Sequence, residues 1–494
     1  MSTQGLFCED LSSAFQPQIG RILVTGASGY IGGRLVPELM ARGYQVRIMV
    51  RAPSPEYALR WPGAEIVVAD ALNKGQLLKA LEGIDTAYYL LHSLLLGPKE
   101  FEGVDLKAAK NFSQAAEERN IKRIIYLGGL GDIRVSLSSH LRSRIEIAEQ
   151  LRSGKTPVTI LRAAIIIGSG SASYEIVYHL IKKLPVIFLP EWSKSRCQPI
   201  AVRDVIKYLV GVLETPLTAN KSFDIGGRDV LTYERMLKLM AITLNKKVVF
   251  LPSFFSNISL YSYIASFFTP VPAPIIQCLM EGLRNEVVCQ ETSIEEYLQF
   301  TPISYKEAVV RAISRGEQDI VATRWSDAYP PAHELAIKLH EVVDKIAYKK
   351  VARLTTKKEA KSLFQSICRI GGKEGWFHTN WLWRIRGILD TSVGGVGTAR
   401  GRKSQTRLEI NDVIDFWRVE DLQPNKRLIL RAEMKIPGKA WLEFNINEVE
   451  GARKLSVTAY YDTETLAGRL YWFLCYPFHL FIFDDLIKVI EKRS

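Results

Sequence analysis

The chain has 494 residues, 47% of them hydrophobic and 24% charged, an ordinary globular composition with enough apolar residues for two or three domains. Its six cysteines are scattered without any C-x-x-C pair, which excludes a disulfide framework and a zinc knuckle and fits a reducing compartment. The formal net charge of +13 is compatible with anionic ligands, nucleic acid or a membrane face, and charge alone does not choose among them.

Two stretches bear on location and on nucleic acid. The N-terminal residues MSTQGLFCEDLSSAFQPQIG lack the basic start and apolar run of a secretory signal, so we expect a cytoplasmic location, with membrane association left open. The densest basic stretch, ARGRKSQTR at 399–407, has no interleaved aromatic residues. It predicts a solvated basic loop and no nucleic-acid partner.

From Arg21 the sequence alternates short β-branched runs with longer stretches of helical period. Apolar runs of this kind, separated by helices, are typical of a parallel sheet that is covered on both faces. We therefore predict an α/β domain with a doubly wound parallel sheet of the Rossmann type. The candidate strands are RILVTG, QVRIMV, EIVVAD, DTAYYLL, KRIIYLGG and TPVTILRA.

A glycine-rich loop follows the first candidate strand. Gly26, Gly29 and Gly32 have the spacing G-x-x-G-x-x-G, with a helical pattern behind them and a second strand after it. Residues without a Cβ let backbone N–H groups approach a pyrophosphate, and the helix N-terminus adds a favourable dipole. In this β-α-β context the loop predicts a dinucleotide site.

The end of the second strand distinguishes the two nicotinamide cofactors. An NAD site places Asp or Glu there for the ribose 2′-hydroxyl, whereas this chain has Arg51, with Arg47 on the same strand. The arginine fork matches a 2′-phosphate by charge and geometry, so NADP is favoured over NAD. The alternative is that Arg51 is only a solvated strand end. Asp70, which ends EIVVAD, is placed to accept from an adenine amino group.

The segment from Val248 to Met280 contains no charged residue. Its prolines leave only a short window, rich in serine and tyrosine, which is marginal for spanning a membrane. We expect a buried or groove-lining helical segment, with a membrane-surface patch as the first alternative and a true span as the second. Both leading interpretations imply an apolar partner.

A linker and a second domain follow. The sequence TRWSDAYPPAHE predicts the linker, and HELAIKLH lacks the histidine spacing of a zinc site. After a helical stretch, KKEAKSLFQSICRI, four runs joined by tight turns predict an antiparallel sheet: DVIDFWRV, KRLILRAEMKI, KAWLEFNINEV and KLSVTAYY. The last predicted helix is interrupted at Pro477. Packed across a curved sheet, this helix would close a hydrophobic cavity; we expect its aromatic residues mainly in a core, with the lining of a ligand site as the alternative.

On these residues the N-terminal part resembles the short-chain dehydrogenase/reductase superfamily, in its extended or atypical branch. TGASGYIG is similar to the cofactor loop of that superfamily, VRAP to its NADP-type second strand, and RAAIIIGSG to its sixth-strand signature. QPIAVRDV and FDIGG are similar to segments that connect a small substrate subdomain to the sheet. The resemblance spans residues 20–315 and implies an NADP-dependent oxidoreductase.

The C-terminal part has a resemblance of its own. GWFHTNWLWRIRGILD, DFWRVE, AEMKIPGKAWLEF and YPFHLFIF resemble a bacterial group in which a reductase-like domain precedes a domain of unassigned function. That second domain resembles the START or Bet v 1 superfamily, an α+β helix-grip fold around an apolar cavity. We therefore predict an NAD(P)-binding domain over 20–320, a linker over 321–345 and a helix-grip domain over 346–494.

The usual catalytic residues of the superfamily are replaced in this chain. Active members end the fifth strand with a serine and carry Y-x-x-x-K on the next helix. Here Gly128 and Gly129 stand at the serine position, and His140 and Arg144 at the tyrosine and lysine positions. Either His140 is the general acid beside an Arg144 that holds a ribose or phosphate oxygen, or the domain is a catalytically silent NADP-binding sensor or assembly factor.

His92 and Ser93 are further catalytic candidates, because strand carboxyl ends face the ligand crevice; the alternative is that they only line the nicotinamide pocket. The expected substrate is an apolar carbonyl, enone, quinone or isoprenoid-like compound. A lipid partner and peripheral membrane contact are alternatives, and the oligomeric state is left open. The predicted cofactor-binding residues are Gly26, Ser28, Gly29, Tyr30, Ile31, Gly32, Arg51, Asp70, Ala71 and Leu91.

Overall fold

The structure is a computed structural model of the chain. It describes residues 6–91, 101–131, 138–317, 323–329, 335–372, 374–398, 400, 402, 404, 407–449 and 451–494. These residues form an N-terminal unit that ends at Leu335 and a C-terminal unit that begins at Ala336 and also includes Thr269–Pro272. The boundary between the units falls inside the predicted linker.

The N-terminal unit is built on a parallel sheet. Its strands are β1 (Ile22–Thr25), β2 (Val46–Val50), β3 (Glu65–Val68), β4 (Thr86–Tyr89), β5 (Arg123–Gly129), β6 (Val158–Ala163), β7 (Ile166–Ile167), β8 (Val186–Leu189), β9 (Arg196–Cys197), β10 (Ile200–Ala201), β11 (Ser222–Ile225), β12 (Leu231–Thr232) and β13 (Val249–Pro252). Seven of them pair in parallel in the order β11-β6-β5-β4-β1-β2-β3. All six strands predicted from the sequence are present in this sheet, and FDIGG supplies the edge strand β11.

Helices cover both faces of this sheet. They are α1 (Gly32–Ala41), α2 (Pro55–Arg60), α3 (Lys74–Ala80), α4 (Phe101–Glu118), α5 (Ser139–Arg152), α6 (Ala172–Lys183), α7 (Val202–Glu214), α8 (Tyr233–Thr243), α9 (Ile258–Phe268), α10 (Ala273–Glu281) and α11 (Tyr305–Glu317). Ile22 and Val24 of β1 lie in one core with residues of α1 and α7, whereas Leu23 lies in a second core with residues of α3, α4 and α5. Because side chains alternate along a strand, the two cores lie on opposite faces, which confirms the doubly wound α/β fold.

The uncharged segment 248–280 forms β13, α9 and α10. Ile258 of α9 and Ile276 of α10 are buried, as expected for a buried helical segment. Phe254 and Phe255, which precede α9, are 100% and 71% exposed, so that expectation is correct for only part of the segment. In the part of the chain that the structure describes, no helix is long and apolar enough to cross a membrane.

The C-terminal unit contains an antiparallel sheet. Its strands are β14 (Tyr348–Thr356), β15 (Val413–Ile414), β16 (Trp417–Gln423), β17 (Arg427–Ala432), β18 (Lys439–Val449) and β19 (Ala452–Asp462), in the sheet order β14-β19-β18-β17-β16-β15. Its helices are α12 (Leu339–Val342), α13 (Ala360–Ile367), α14 (Asn380–Ser392) and α15 (Leu466–Lys492). The predicted hairpins are confirmed. The edge strand β14 was not predicted.

Helix α15 differs from its prediction in two respects. It runs through Pro477 without the predicted interruption. Trp472 and Phe483 are buried, but most of its other aromatic side chains face solvent, so the expectation that they lie mainly in a core is wrong. The exposed ones are Phe473 (64%), Tyr476 (38%), Phe478 (51%) and Phe481 (70%).

At two of the described residues in the basic stretch 399–407, the prediction of a solvated loop is wrong. Arg400 and Arg402 are only 2% and 3% exposed. Nη1 of Arg400 lies 2.7 Å from a carboxylate oxygen of Glu433, and Arg402 donates to the carbonyl oxygen of Ile370 at 2.7 Å. A buried guanidinium requires such partners, because an uncompensated charge in the interior is strongly unfavourable.

Candidate functional site

A cavity of about 480 Å³ lies at the carboxyl ends of the strands in the N-terminal unit. It is lined by the loops after β1, β2 and β3 and by the ends of β5 and β6, where a doubly wound sheet presents its ligand crevice. All ten predicted cofactor-binding residues line this one cavity: Gly26, Ser28, Gly29, Tyr30, Ile31, Gly32, Arg51, Asp70, Ala71 and Leu91.

Close packing explains two glycines of the glycine-rich loop. Gly26 has a φ of +65°, and a Cβ on it would lie 2.6 Å from the carbonyl oxygen of Leu90. A Cβ on Gly32 would lie 2.3 Å from the carbonyl oxygen of Gly26. At Gly29, which lines the cavity, the nearest atom would be 3.2 Å away, so packing within the protein demands glycine less strongly there. Packing within the protein therefore requires glycine at positions 26 and 32, and position 29 lies open to the cavity.

A short segment from the predicted linker holds this loop. Residues 323–329, here called the strap, include the buried side chains of Thr323 and Trp325. Thr323 Oγ1 donates to the carbonyl oxygen of Tyr30 at 2.9 Å, and Trp325 N–H donates to the carbonyl oxygen of Gly170 at 2.8 Å. Trp325 also lines the cavity. This part of the predicted linker is thus folded against the site.

Arg34 joins the same elements from the first turn of α1. Its buried guanidinium donates to the carbonyl oxygens of Tyr30 and Thr323, each at 3.1 Å, and of Ser169 at 2.9 Å. It also lies over the Tyr30 ring, 4.1 Å from the ring centroid. One side chain therefore ties the glycine-rich loop to the strap and to the loop that precedes α6.

The two arginines of the second strand have different positions. Arg51 lines the cavity directly after β2. Arg47 is buried; it donates to the carbonyl oxygens of Ala80 and Glu82 at 2.8 and 2.7 Å and pairs with Glu65 at 2.8 Å. Arg47 therefore stabilises the sheet, and Arg51 is the one of the two that a ligand in the cavity can reach.

Asp70 is held at the end of β3 by a local turn. Its Oδ1 accepts a hydrogen bond from Leu72 N–H at 2.9 Å, and its own N–H donates to Oε1 of Gln76 at 2.7 Å. Such an Asx turn fixes the direction of the carboxylate. The side chain is therefore a positioned acceptor at the edge of the cavity.

Arg144 lines the cavity from α5 and is supported from behind. The hydroxyl of the buried Tyr126 donates to the carbonyl oxygen of Arg144 at 3.3 Å and lies 3.5 Å from Nη1 of the same residue. Burial raises the pKa of Tyr126, which keeps its hydroxyl protonated.

Gly128 and Gly129 also line the cavity, and a Cβ on Gly129 would lie 3.2 Å from Cδ2 of Leu141.

The structure does not test the remaining catalytic candidates. His140 is the second residue of α5, one helical turn before Arg144, and Ser138 caps this helix by accepting from Leu141 N–H at 3.4 Å. The side chain of His140 lies outside the described residues, as do His92 and Ser93. Their predicted roles stay predictions.

Tyr233 lines the cavity, although the sequence analysis did not identify it. It begins α8, beside the thiol of Cys197, and shares an apolar cluster with Leu283 and Val287, which also line the cavity. The Cys197 thiol is the hydrogen-bonding neighbour of the buried hydroxyl. Burial raises the pKa of Tyr233 well above its usual value, so the hydroxyl is a neutral donor. The one local signal is its place after the N-cap Thr232.

The curated proteins that the chain resembles include dehydrogenases, reductases and assembly factors. A 3-beta-hydroxysteroid dehydrogenase of Mycolicibacterium neoaurum is 34% identical over 117 residues, 22% of this chain and 31% of that protein. The photosystem II assembly factor Ycf39 of Trieres chinensis is 23% identical over 207 residues, 42% of this chain and 64% of that protein. A ceramide reductase of Caulobacter vibrioides is 25% identical over 230 residues, 46% of this chain and 72% of that protein. The chain therefore spans less than two thirds of the first two relatives.

Two family models match the chain, one in each unit. Residues 26–181 match a model described as NAD(P)H-binding, and residues 342–486 match a model described as a protein of unknown function (DUF2867). Among solved structures, the Citrobacter triphenylmethane reductase complexed with NADP(H) aligns with a TM-score of 0.48 and 19% identity, covering 59% of this chain and 99% of that one.

The family model and the parallel sheet agree on the nature of the N-terminal unit. It is an NAD(P)-binding domain of the Rossmann type and is similar to oxidoreductases. The resemblance to short-chain dehydrogenases/reductases is supported at this level. The likeness of the C-terminal unit to the START superfamily stays a prediction.

Proposed function

We propose that the N-terminal unit is an NADP-dependent oxidoreductase for an apolar carbonyl, enone, quinone or isoprenoid-like compound. The observation that carries the proposal is one cavity with two kinds of lining. The glycine-rich loop, Arg51 and Asp70 supply nucleotide-binding groups, while Leu283 and Val287 supply apolar surface. The printed names of two relatives, a hydroxysteroid dehydrogenase and a ceramide reductase, support an apolar substrate.

Each polar residue of the cavity has a proposed task. NADPH, when bound, supplies the hydride. The backbone of the glycine-rich loop and the N-terminus of α1 hold the pyrophosphate, and the fork of Arg51 holds the 2′-phosphate. Arg144, positioned by Tyr126, holds a ribose or phosphate oxygen. Tyr233 keeps its proton at neutral pH and donates a hydrogen bond to the substrate oxygen.

Calorimetric titration of the full chain with NADPH and with NADH tests the cofactor assignment. We expect Arg51→Ala to weaken NADPH binding about tenfold or more and to leave NADH binding unchanged, because a charge-assisted fork to phosphate contributes roughly 1.5–3 kcal/mol. Arg311→Ala is the matched control, since Arg311 forms an exposed ion pair with Glu307 on α11. Absence of nucleotide binding, or equal loss of both nucleotides, would contradict the proposal.

Oxidation of NADPH in the presence of apolar carbonyls and quinones tests the reaction. We expect Tyr233→Phe to lower kcat and to leave NADPH affinity unchanged, because the hydroxyl is assigned to the substrate. His140→Ala tests the alternative proton donor in the same assay. If His140→Ala abolishes turnover while Tyr233→Phe does not, the proton comes from His140.

A second candidate function is an NADP-binding sensor or assembly factor without catalysis. It is favoured by Gly128 and Gly129, which line the cavity at the serine position and bring no hydroxyl to it. The name of one relative, an assembly factor, also supports it. Tight NADPH binding without oxidation by any member of the substrate panel, unchanged in His140→Ala and Tyr233→Phe, is the expected result for this candidate.

A further inference from the structure

Helix α15 has apolar side chains that stay exposed among the residues that the structure describes. From Leu470 to Phe483 the helix contains no charged residue. Its exposed apolar residues recur every three or four positions and so share one side of the helix. They include Leu466 (84%), Leu470 (61%), Phe473 (64%), Leu474 (64%), Phe478 (51%) and Phe481 (70%).

Helix α14 has an exposed apolar side as well. Four of its residues, spaced by one helical turn or two, are exposed: Trp381 (60%), Ile385 (47%), Ile388 (57%) and Leu389 (62%). Its opposite side is buried through Trp383 and Gly387. The exposed and buried sides are thus separated as in an amphipathic helix, except that the outward side is the apolar one.

The two helices are neighbours in the C-terminal unit. Nη1 of Arg386 on α14 lies 3.9 Å from Sγ of Cys475, and the guanidinium lies over the Tyr471 ring of α15, 5.2 Å from the centroid. The two helices are thus in contact, and each leaves apolar side chains exposed. We call the surface made by these exposed residues of α14 and α15 the apolar face.

The charge of the C-terminal unit indicates what covers this face. Over residues 336–494, Lys and Arg number 28 against 19 Asp and Glu, a net charge of +9 out of the +13 of the whole chain. Arg384 on α14 and Arg469 on α15 are exposed beside the apolar residues. Two copies of such a basic unit repel each other, whereas anionic lipid headgroups attract it.

We propose that the C-terminal unit binds to anionic lipid bilayers through the apolar face. Leucine and aromatic side chains with neighbouring basic residues are typical of helices that lie in the membrane interface, and here they would enter the headgroup boundary while Arg384 and Arg469 meet lipid phosphates. The exposed pair Phe254 and Phe255 of the N-terminal unit is the rival contact. This pair lies in the uncharged segment 248–280, which has no basic residue to attract lipid phosphates.

Flotation of the full chain with phosphatidylcholine vesicles, with and without phosphatidylglycerol, tests the proposal. We expect flotation only with phosphatidylglycerol, weakened by salt. Serine at positions 473, 478 and 481 together (F473S, F478S, F481S) should reduce it about tenfold or more, because three exposed aromatic side chains can then no longer enter the lipid. Glutamate for both arginines (R384E, R469E) should abolish flotation with phosphatidylglycerol, because the attraction to the anionic headgroups is lost.

The matched control replaces the rival pair (F254S, F255S) and should float like the wild type. All substituted side chains are exposed, so NADPH affinity should be unchanged in every variant, which keeps this test independent of the proposed catalytic function. Absence of wild-type flotation on both vesicles would overturn the proposal. So would loss of flotation in the control alone, or a dimer in light scattering that the three-phenylalanine variant abolishes.

Discussion

The guanidinium of Arg34 donates to the carbonyl oxygen of Thr323 at 3.1 Å, across 289 positions of the sequence. The same guanidinium reaches the carbonyl oxygens of Tyr30 and Ser169. A residue of the first helix therefore determines how the strap lies against the glycine-rich loop. Both the affinity for the cofactor and the stability of this region should therefore depend on Arg34.

Replacement of Arg34 by methionine tests this dependence. We expect Arg34→Met to lower the free energy of unfolding by about 3 kcal/mol, because three buried carbonyl oxygens lose their donor at about 1 kcal/mol each. NADPH affinity should fall with it, since the loop loses its support. Thr323→Val, which removes only the hydroxyl bond to Tyr30, should cost about 1 kcal/mol. Denaturant unfolding and titration measure both; wild-type stability in Arg34→Met would contradict the assignment.

The glycine-rich loop yields a pair of contrasting predictions. Gly32→Ala should destabilise the N-terminal unit and abolish NADPH binding, because its Cβ would lie 2.3 Å from the carbonyl oxygen of Gly26 and backbone would have to move. Gly29→Ala, with 3.2 Å available, should keep the fold and lose less affinity. Gly29→Asp should keep the fold and lose the nucleotide, because a negative charge would face the pyrophosphate. Unchanged NADPH affinity in Gly29→Asp would refute the site.

The parallel sheet could be predicted because its signal is local. Ile22 and Val24 face one core and Leu23 the other, so these three residues form a continuous apolar run that identifies a buried strand. Strand β14 was missed because it carries Lys349, Lys350 and Arg353, and charged side chains are common on edge strands. The pattern of such an edge strand looks like a solvated loop.

The predicted cofactor-binding residues could be placed in one cavity for the same reason. Gly26 and Arg51 follow their strands directly and Asp70 follows β3 by two positions, so the end of each run indicates their place. Trp325 and Tyr233 reach the cavity through tertiary packing, which no local pattern records. Residue type also failed to predict exposure at two positions. Arg400 is charged but buried, whereas Phe481 is apolar but 70% exposed.

A buried ion network in the C-terminal unit gives a stability prediction. The carboxylate of Glu433 lies 2.7 Å from Arg400 and 2.6 Å from Arg418, and all three side chains are buried. Glu433→Ala leaves buried guanidinium groups uncompensated, so we expect a loss of about 3–5 kcal/mol in the free energy of unfolding. Asp421→Ala, which removes a more exposed pair with Arg427, should cost less than about 1 kcal/mol. Similar losses in the two variants would contradict the prediction.

Asp415 gives the last prediction, a dependence of stability on pH. Burial raises the pKa of Asp415 from 3.8 to about 6, although hydrogen bonds from Trp376 Nε1 and Gly372 N–H and the charges of Arg402 and Arg400 oppose this. The folded chain therefore binds this proton more tightly than the unfolded chain does. The resulting stabilisation is fully present below pH 3.8 and is lost as the pH rises through about 6.

The variant Asp415→Asn keeps an oxygen that can accept from Trp376 and removes the titration. A shift of this size corresponds to about 3 kcal/mol, so the stability of the wild type relative to Asp415→Asn should fall by about that amount between roughly pH 4 and pH 7. His479, whose pKa burial lowers to about 4, acts in the opposite direction over the same range. Because both proteins retain His479, its contribution cancels in the comparison. A difference in unfolding free energy that is constant with pH would show that burial does not raise the pKa of Asp415.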